Sequence, residues 1–143
     1  MAEETNQLRV RLVTPERTLF EGAADTVELP SKTGHFEVLY GHAPLVAELG
    51  AGDVTICGAA ASETGQLRLN VSWGFVEVLG DRVTILASDA LKPEEIDRDR
   101  AEQQVVRGEK MWKEAGESEA AYDEALRVIA EAEAKLASAA DKH

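Results

Sequence analysis

Two histidines, His35 and His42, are the residues whose type and position most invite a chemical reading. They stand at two turns within the stretch LPSKTGHFEVLYGHAPLVAEL, Leu29 to Leu49. An imidazole can ligate a metal, carry a proton or titrate at an interface. Zinc requires three or four Cys, His or carboxylate ligands at tight spacing. The two histidines have no nearby cysteine and no carboxylate at ligand spacing, so no metal ligand is expected here and a turn-shaping or interface role is. The rest of the chain offers no Ser/His/acid set, no P-loop and no metal-binding cluster, and carboxylates scattered along strands form no catalytic dyad. No catalytic residue is therefore expected. Cys57 is the single cysteine, which excludes an internal disulfide, fits a reducing compartment and reads as a buried strand residue.

The elements that position the histidines read as short strands. Ser31, Lys32, Thr33 and Gly34 form a polar turn, and Phe36, Val38 and Tyr40 alternate with Glu37 and Leu39. Gly41 breaks that run, and Pro44 forces Ala43 into an extended conformation, so the chain turns and leaves as an edge or loop. Before it, Leu8, Val10 and Leu12 alternate with Arg9 and Arg11. Arg17 to Glu21 follows as a second strand, and Asp25 to Leu29 as a third with Val27 and Leu29 inward. After it, Val54 to Cys57, Leu67 to Val71, Trp73 to Leu79 and Val83 to Ala87 are further strands. Gly58 to Gly65 is a small-residue loop, and Gly80-Asp81 is a two-residue hairpin connection. Many short strands at regular spacing predict an all-β sandwich or barrel over residues 5 to 88.

Beyond Asp89 the composition turns to Ala, Glu, Lys and Arg. Pro93, Glu94 and Glu95 suit a first helical turn. Ala101, Val105, Gly108, Trp112 and Ala115 recur at helical spacing, while Ile96, Arg100, Gln103, Arg107 and Lys110 share another flank. Gly116, Glu117 and Ser118 break the helix, with Ser118 as N-cap of a second that runs to about Ala139. In that second helix Tyr122, Leu126, Ile129 and Leu136 form the apolar stripe, Glu133 interrupts it, and Ala125 and Ala132 lie beside it. The whole is an α+β chain: residues 1–88 form an N-terminal all-β sandwich, and 89–143 a C-terminal antiparallel two-helix hairpin. The hairpin seam is rich in Ala and Gly, buries little apolar area and is expected to lean on something else.

A hydrophobic fraction of 44% supports a packed core. The net charge of −12 opposes docking on phosphate backbones or anionic lipid, so nucleic acid is not an expected partner. Through Lys92 there are 7 basic and 13 acidic residues and beyond it 8 and 14, so each part carries −6 and no acidic tail explains the charge. No window approaches the ~18 apolar residues of a membrane span, and MAEETNQLRV has no apolar signal-like region. Direct membrane insertion is not expected.

Four blocks, taken in order, carry a resemblance. They are VTPERTLFEG (Val13 to Gly22), the Leu29 to Leu49 stretch, WGFVEV (Trp73 to Val78) with VTILA (Val83 to Ala87), and IDRDRA (Ile96 to Ala101). Together they resemble the epsilon subunit of bacterial F-type ATP synthase, collinearly from about Leu8 to Leu136. The resemblance implies a non-catalytic rotor subunit in the central stalk, coupling proton translocation to ATP synthesis. Its implied partners are the gamma subunit and the c-ring, with the beta subunit as a further one. It would sit peripherally on the cytoplasmic face of the bacterial plasma membrane, within the complex. The c-ring-facing loop corresponds to Gly34 and His35, and the second turn to Gly41, His42, Ala43 and Pro44. The family commonly has a carboxylate where His35 stands, a glycine at Glu37 and a proline at Tyr40.

The resemblance also implies nucleotide-binding residues. Ile96, Asp97, Arg100 and Ala101 match an I/L-D-x-x-R-A motif that binds ATP in some members, and Arg107 would add a second guanidinium. The counterparts of two basic residues on the second helix are Glu131 and Lys135. No cofactor is required, and ATP is expected only as a weak regulatory ligand. Hairpin inhibition of hydrolysis is expected to be weak, because Arg127, Lys135 and Lys142 face Glu119, Asp123, Glu124, Glu131, Glu133 and Asp141 on the second helix. The alternative reading is a stand-alone β-sandwich protein-binding module with a helical oligomerisation tail.

Overall fold

The period-2 runs become eight strands: β1 (Leu8–Val13), β2 (Thr18–Ala24), β3 (Thr26–Ser31), β4 (Gly34–Leu39), β5 (Leu45–Leu49), β6 (Gly52–Cys57), β7 (Gln66–Leu79) and β8 (Arg82–Leu91). The computed structural model describes residues 6–140, so Asp141 and Lys142 and the first five residues of the N-terminal stretch lie outside the described residues. The chain divides into two compact units, Met1–Ala90 and Leu91–His143.

In the first unit β4, β3, β6 and the first half of β7 form one layer, with Val27 opposite Val38 and Ile56, and Val54 opposite Leu69. The second half of β7 pairs with β5, and β7 then neighbours β8, which runs parallel to β1, with β2 outermost. The inward residues of both layers, among them Leu8, Leu12, Leu29, Ile56, Leu69, Val71, Val78 and Ile85, make one buried core. Full burial of such an aliphatic side chain stabilises the fold by about 1.5–3 kcal/mol relative to exposure.

β7 corrects the sequence reading, which takes Leu67–Val71 and Trp73–Leu79 as separate strands. One 14-residue strand passes from layer to layer. Buried apolar positions fall on odd numbers at Leu69 and Val71 and on even numbers at Val76 and Val78, with the polar Asn70 and Ser72 buried as well. The phase reverses at Trp73 (φ 46°) and Gly74 (φ 144°), a left-handed step that bends the strand as a bulge does. Gly74 is obligatory there, because a Cβ would overlap the Leu86 carbonyl oxygen.

In the second unit Pro93–Glu95 forms only a 3-10 turn, held by the Lys92 N–H donating to Glu95 Oε1 at 2.8 Å. Ile96 is extended again, and α1 (Arg98–Glu114) begins after it. The sequence reading opens the helix at Pro93; Asp97 delays it, because its carboxylate is a better cap for the first-turn amides. Gly116 (φ 60°) lies within the connection, and the Ser118 hydroxyl accepts from the Ala121 N–H at 3.2 Å to start α2 (Glu119–Ala140).

The two helices run antiparallel. Gln104 Nε2 donates to the Val128 carbonyl at 3.2 Å, Gly108 faces Ile129, and the Trp112 and Tyr122 rings lie 5.7 Å apart. The sequence reading of the α2 stripe holds in part: Ile129 and Leu136 are half-buried, with Ile129 against Gly108. Ala125 and Ala132 are buried, whereas Tyr122 and Leu126 are exposed. Ala101, Gly108 and Ala115 bring the α1 backbone close: Gly108 leaves room for the Ile129 side chain opposite it, while Tyr122 and Leu126 lie at the margin.

Candidate functional site

The β3–β4 turn is fixed by its own polar residues. Ser31 Oγ donates to the Gly34 carbonyl at 2.5 Å, and the Thr33 N–H donates to Ser31 Oγ at 3.2 Å. Gly34 (φ 130°) supplies the backbone conformation that closes the turn. The turn is one wall of an open groove of ≈ 500 Å3; β5 contributes Leu45, Ala47 and Glu48 as the other wall, and His42 stands with them. Lys32 Nζ and Glu48 Oε1 approach to 3.6 Å, an exposed pair of small energetic weight. The second turn is closed by the His42 N–H donating to the Leu39 carbonyl at 3.0 Å. His42 Nδ1 lies 2.6 Å from the Ala43 carbonyl oxygen. A carbonyl only accepts, so Nδ1 carries the hydrogen and Nε2 is left for other partners. Gly34, His35 and His42, eight residues apart at most in sequence, thus line one groove. Among the described residues no group of three or more His, Cys, Asp or Glu could hold a metal ion.

A second surface escapes the sequence reading. On the outward face of the β5–β7–β8–β1 layer, Val46 (69% exposed), Phe75 (56%), Leu79 (59%) and Leu86 (49%) leave large apolar side chains in solvent. Register sets them together: Val46 is opposite Glu77, Glu48 opposite Phe75, and Val13 opposite Leu86. Arg11 and Glu21, 4.0 Å apart, lie on the β1–β2 side. An apolar centre with a charged margin is the composition of a protein-docking surface. Its sequence signal is an apolar residue on both parities of one strand, as in Leu45-Val46-Ala47 and Val78-Leu79.

The five residues matched to a nucleotide motif do not share one environment. Ala101 is buried in the helix seam, and Asp97 is the N-cap of α1, its Oδ1 accepting from the Arg100 N–H at 3.1 Å. Ile96 is half-buried, whereas Arg100 and Arg107 are exposed, seven residues or about 10 Å apart along the helix. On α2, Lys135 Nζ lies 3.4 Å from Glu131 Oε1, with the lysine side chain only 12% exposed. That cation is already matched by a carboxylate one turn away.

Comparison with known proteins accords with this architecture. Residues 7–93 match the family described as ATP synthase, Delta/Epsilon chain, beta-sandwich domain. The ATP synthase epsilon chain of Koribacter versatilis is 41% identical over 105 residues, covering 73% of this chain and 71% of that protein. The epsilon chain of Solibacter usitatus is 37% identical over 137 residues, 94% of this chain and 97% of its own length. Among solved structures, a chain of the Euglena gracilis mitochondrial ATP synthase, solved as OSCP/F1/c-ring, superposes with a TM-score of 0.75 at 19% identity. It covers 95% of this chain and 83% of the other, a likeness of fold. With a β-sandwich followed by two helices and relatives matched over nearly the full length, the chain belongs to the ATP synthase epsilon chain family.

Proposed function

We propose that the chain is a non-catalytic subunit of the central stalk of an F-type ATP synthase, coupling rotation driven by proton translocation to ATP synthesis in the head. The observation that carries this reading beyond family membership is the outward apolar face of Val46, Phe75, Leu79 and Leu86. A chain of net charge −12 that leaves a phenylalanine and three aliphatics clustered in solvent has a surface suited to a protein partner. On this reading that face takes the gamma subunit, and the Gly34–His35 turn and His42 meet the c-ring. The chain is then held peripherally on the cytoplasmic face of a bacterial plasma membrane; among the described residues no helix is long and apolar enough to cross it. Affinity-tagged chain is expected to co-isolate with the other subunits of the synthase. A monodisperse chain or homo-oligomer without them supports the stand-alone module instead.

The hairpin is proposed to modulate ATP hydrolysis only weakly, through the beta subunit at most, and to bind ATP weakly. Supporting this, the basic residues of α2 are few, and Lys135 is paired with Glu131. Calorimetric titration is expected to show dissociation in the millimolar range, weakened further in Arg100→Ala. Micromolar binding contradicts the reading. Removing residues 93–143 is expected to raise ATPase activity of the assembled enzyme less than about twofold, since a larger release requires an interaction of the kcal/mol order.

A further inference from the structure

We propose that a basic groove on the outward face of β2, β1 and β8 binds a small soluble phosphoryl anion, a diphosphate or longer oligophosphate, through Arg9, Arg11 and Arg82. Alternation puts Arg9 and Arg11 on the outward face of β1, because Leu8, Val10 and Leu12 are buried. On β8 the same alternation puts Arg82 and Thr84 outward, since Val83 and Ile85 are buried. Parallel pairing of the two strands sets Arg9 beside Arg82 and Arg11 beside Thr84, and β2 adds Glu21 opposite Arg11. These five side chains rim a groove of ≈ 510 Å3. It lies on the β1 side of β8, away from Phe75 on β7.

The other cations of this unit already have partners. Up to Ala90 the Lys and Arg side chains are Arg9, Arg11, Arg17, Lys32, Arg68 and Arg82. Lys32 meets Glu48, Arg68 meets Asp53 at 3.4 Å, and Arg17 Nη2 donates to the Ala90 carbonyl at 3.1 Å. Arg11 has Glu21 at 4.0 Å, with both side chains exposed, and among the described residues Arg9 and Arg82 make no ion pair. Asp81, next to Arg82, meets Arg9 through its backbone, its carbonyl accepting from the Arg9 N–H at 2.7 Å. Three guanidiniums against the Glu21 carboxylate leave the groove at +2, in a chain of net charge −12. Like charges on directly paired residues destabilise a sheet, so an anion between Arg9 and Arg82 relieves a repulsion that the fold otherwise carries. At about 0.1 M salt the screening length is about 10 Å, so this local charge and not the distant carboxylates decides for a small anion.

The spacing selects the anion. The guanidiniums spring from adjacent strands roughly 4.8 Å apart and from positions about 6.6 Å apart along β1. A planar carboxylate engages one arginine fork, whereas a diphosphate presents oxygens in several directions over that span, and arginine is the side chain suited to bidentate phosphate contacts. The Thr84 hydroxyl is a further donor. A phosphoryl group could also be borne by lipid, but the net charge of −12 opposes approach to an anionic lipid surface, so the ligand assigned is a soluble one.

Calorimetric titration of inorganic diphosphate into the full chain at about 0.1 M salt tests this. Three charge-assisted contacts correspond to dissociation at about 0.1 mM, and Arg9→Gln with Arg82→Gln is expected to weaken it more than about tenfold. Glu21→Gln removes the opposing carboxylate and is expected to tighten binding about threefold, the weight of an exposed charge. The double variant also loses the Arg9–Arg82 repulsion, so its thermal midpoint without ligand is expected at or above that of wild type, which separates lost binding from lost folding. No heat at millimolar diphosphate overturns the inference, as does equal binding of citrate, a tricarboxylate. Affinity unchanged in the double variant, the result if Arg100 and Arg107 held the anion instead, overturns it too. Phosphatidylglycerol vesicles are expected not to carry the chain down on sedimentation; capture by them that the double variant abolishes assigns the groove to a lipid headgroup and overturns the soluble ligand.

Discussion

Asp97 illustrates how one side chain can satisfy a motif and a structural need at once. Its Oδ1 accepts from the Arg100 N–H at 3.1 Å, and the residue itself is extended (φ −88°, ψ 103°), the geometry of a helix N-cap. Asp97→Ala is therefore expected to destabilise the hairpin unit by about 1 kcal/mol whether or not nucleotide is present, while Asp97→Asn is nearly neutral. Denaturation of the full chain followed by far-UV circular dichroism measures both. Equal loss in the Asn and Ala variants contradicts a capping role. Gly108 is the converse case, a residue whose importance lies in what it lacks. A Cβ there would lie 2.6 Å from Ile129 Cγ1 and 3.3 Å from the Ile129 nitrogen. Overpacking of about 1–3 kcal/mol outweighs the roughly 1 kcal/mol that alanine gains in helix propensity, so Gly108→Ala is expected to lower stability. A more stable variant would show that the helices part more easily than this contact implies.

At the scale of elements, β7 and the hairpin seam show what a sequence can and cannot disclose. The strands from Leu8 to Val13 and from Val83 to Ala87 are legible because their alternation holds one phase, and both bury the expected side chains. β7 is not legible as one strand, because alternation reverses at Trp73-Gly74 and a period-2 pattern carries no information on whether the backbone continues through a reversal. Gly74→Ala is expected to cost ~3 kcal/mol or more, since the added methyl meets the Leu86 carbonyl at a positive φ; a thermal melt within a few degrees of wild type contradicts this. On α2 the Tyr122–Leu126–Ile129–Leu136 line is the more hydrophobic, and hydrophobicity alone assigns it to the seam. In the structure the fully buried residues are Ala125 and Ala132, Ile129 packs against Gly108, and Tyr122 and Leu126 are left exposed. Size complementarity between helices is a pairwise property, invisible until the two are placed together. His35 and His42 stand at opposite ends of β4, and their sharing of one groove is not legible in the sequence, because it depends on β5 running back toward the β3–β4 turn, Leu49 pairing with Ser31.

For the molecule as a whole, the outward face of Val46, Phe75, Leu79 and Leu86 has no counterpart in the sequence reading, because an exposed apolar residue and a buried one have the same letter. The distinction needs the register that puts Val46 on the Glu77 side of β5. Phe75→Glu removes an exposed ring, so the isolated chain is expected to keep its stability within about 0.5 kcal/mol. Its retention in the complex is expected to fall more than tenfold, the effect of truncating a central aromatic anchor by over ~1.4 kcal/mol. Wild-type and Phe75→Glu chains, each tagged and isolated under identical gentle conditions, therefore address the central claim most directly. The account predicts synthase subunits in fixed proportion with the wild-type chain and their loss with the folded variant; equal recovery with both, or no partner with either, contradicts it.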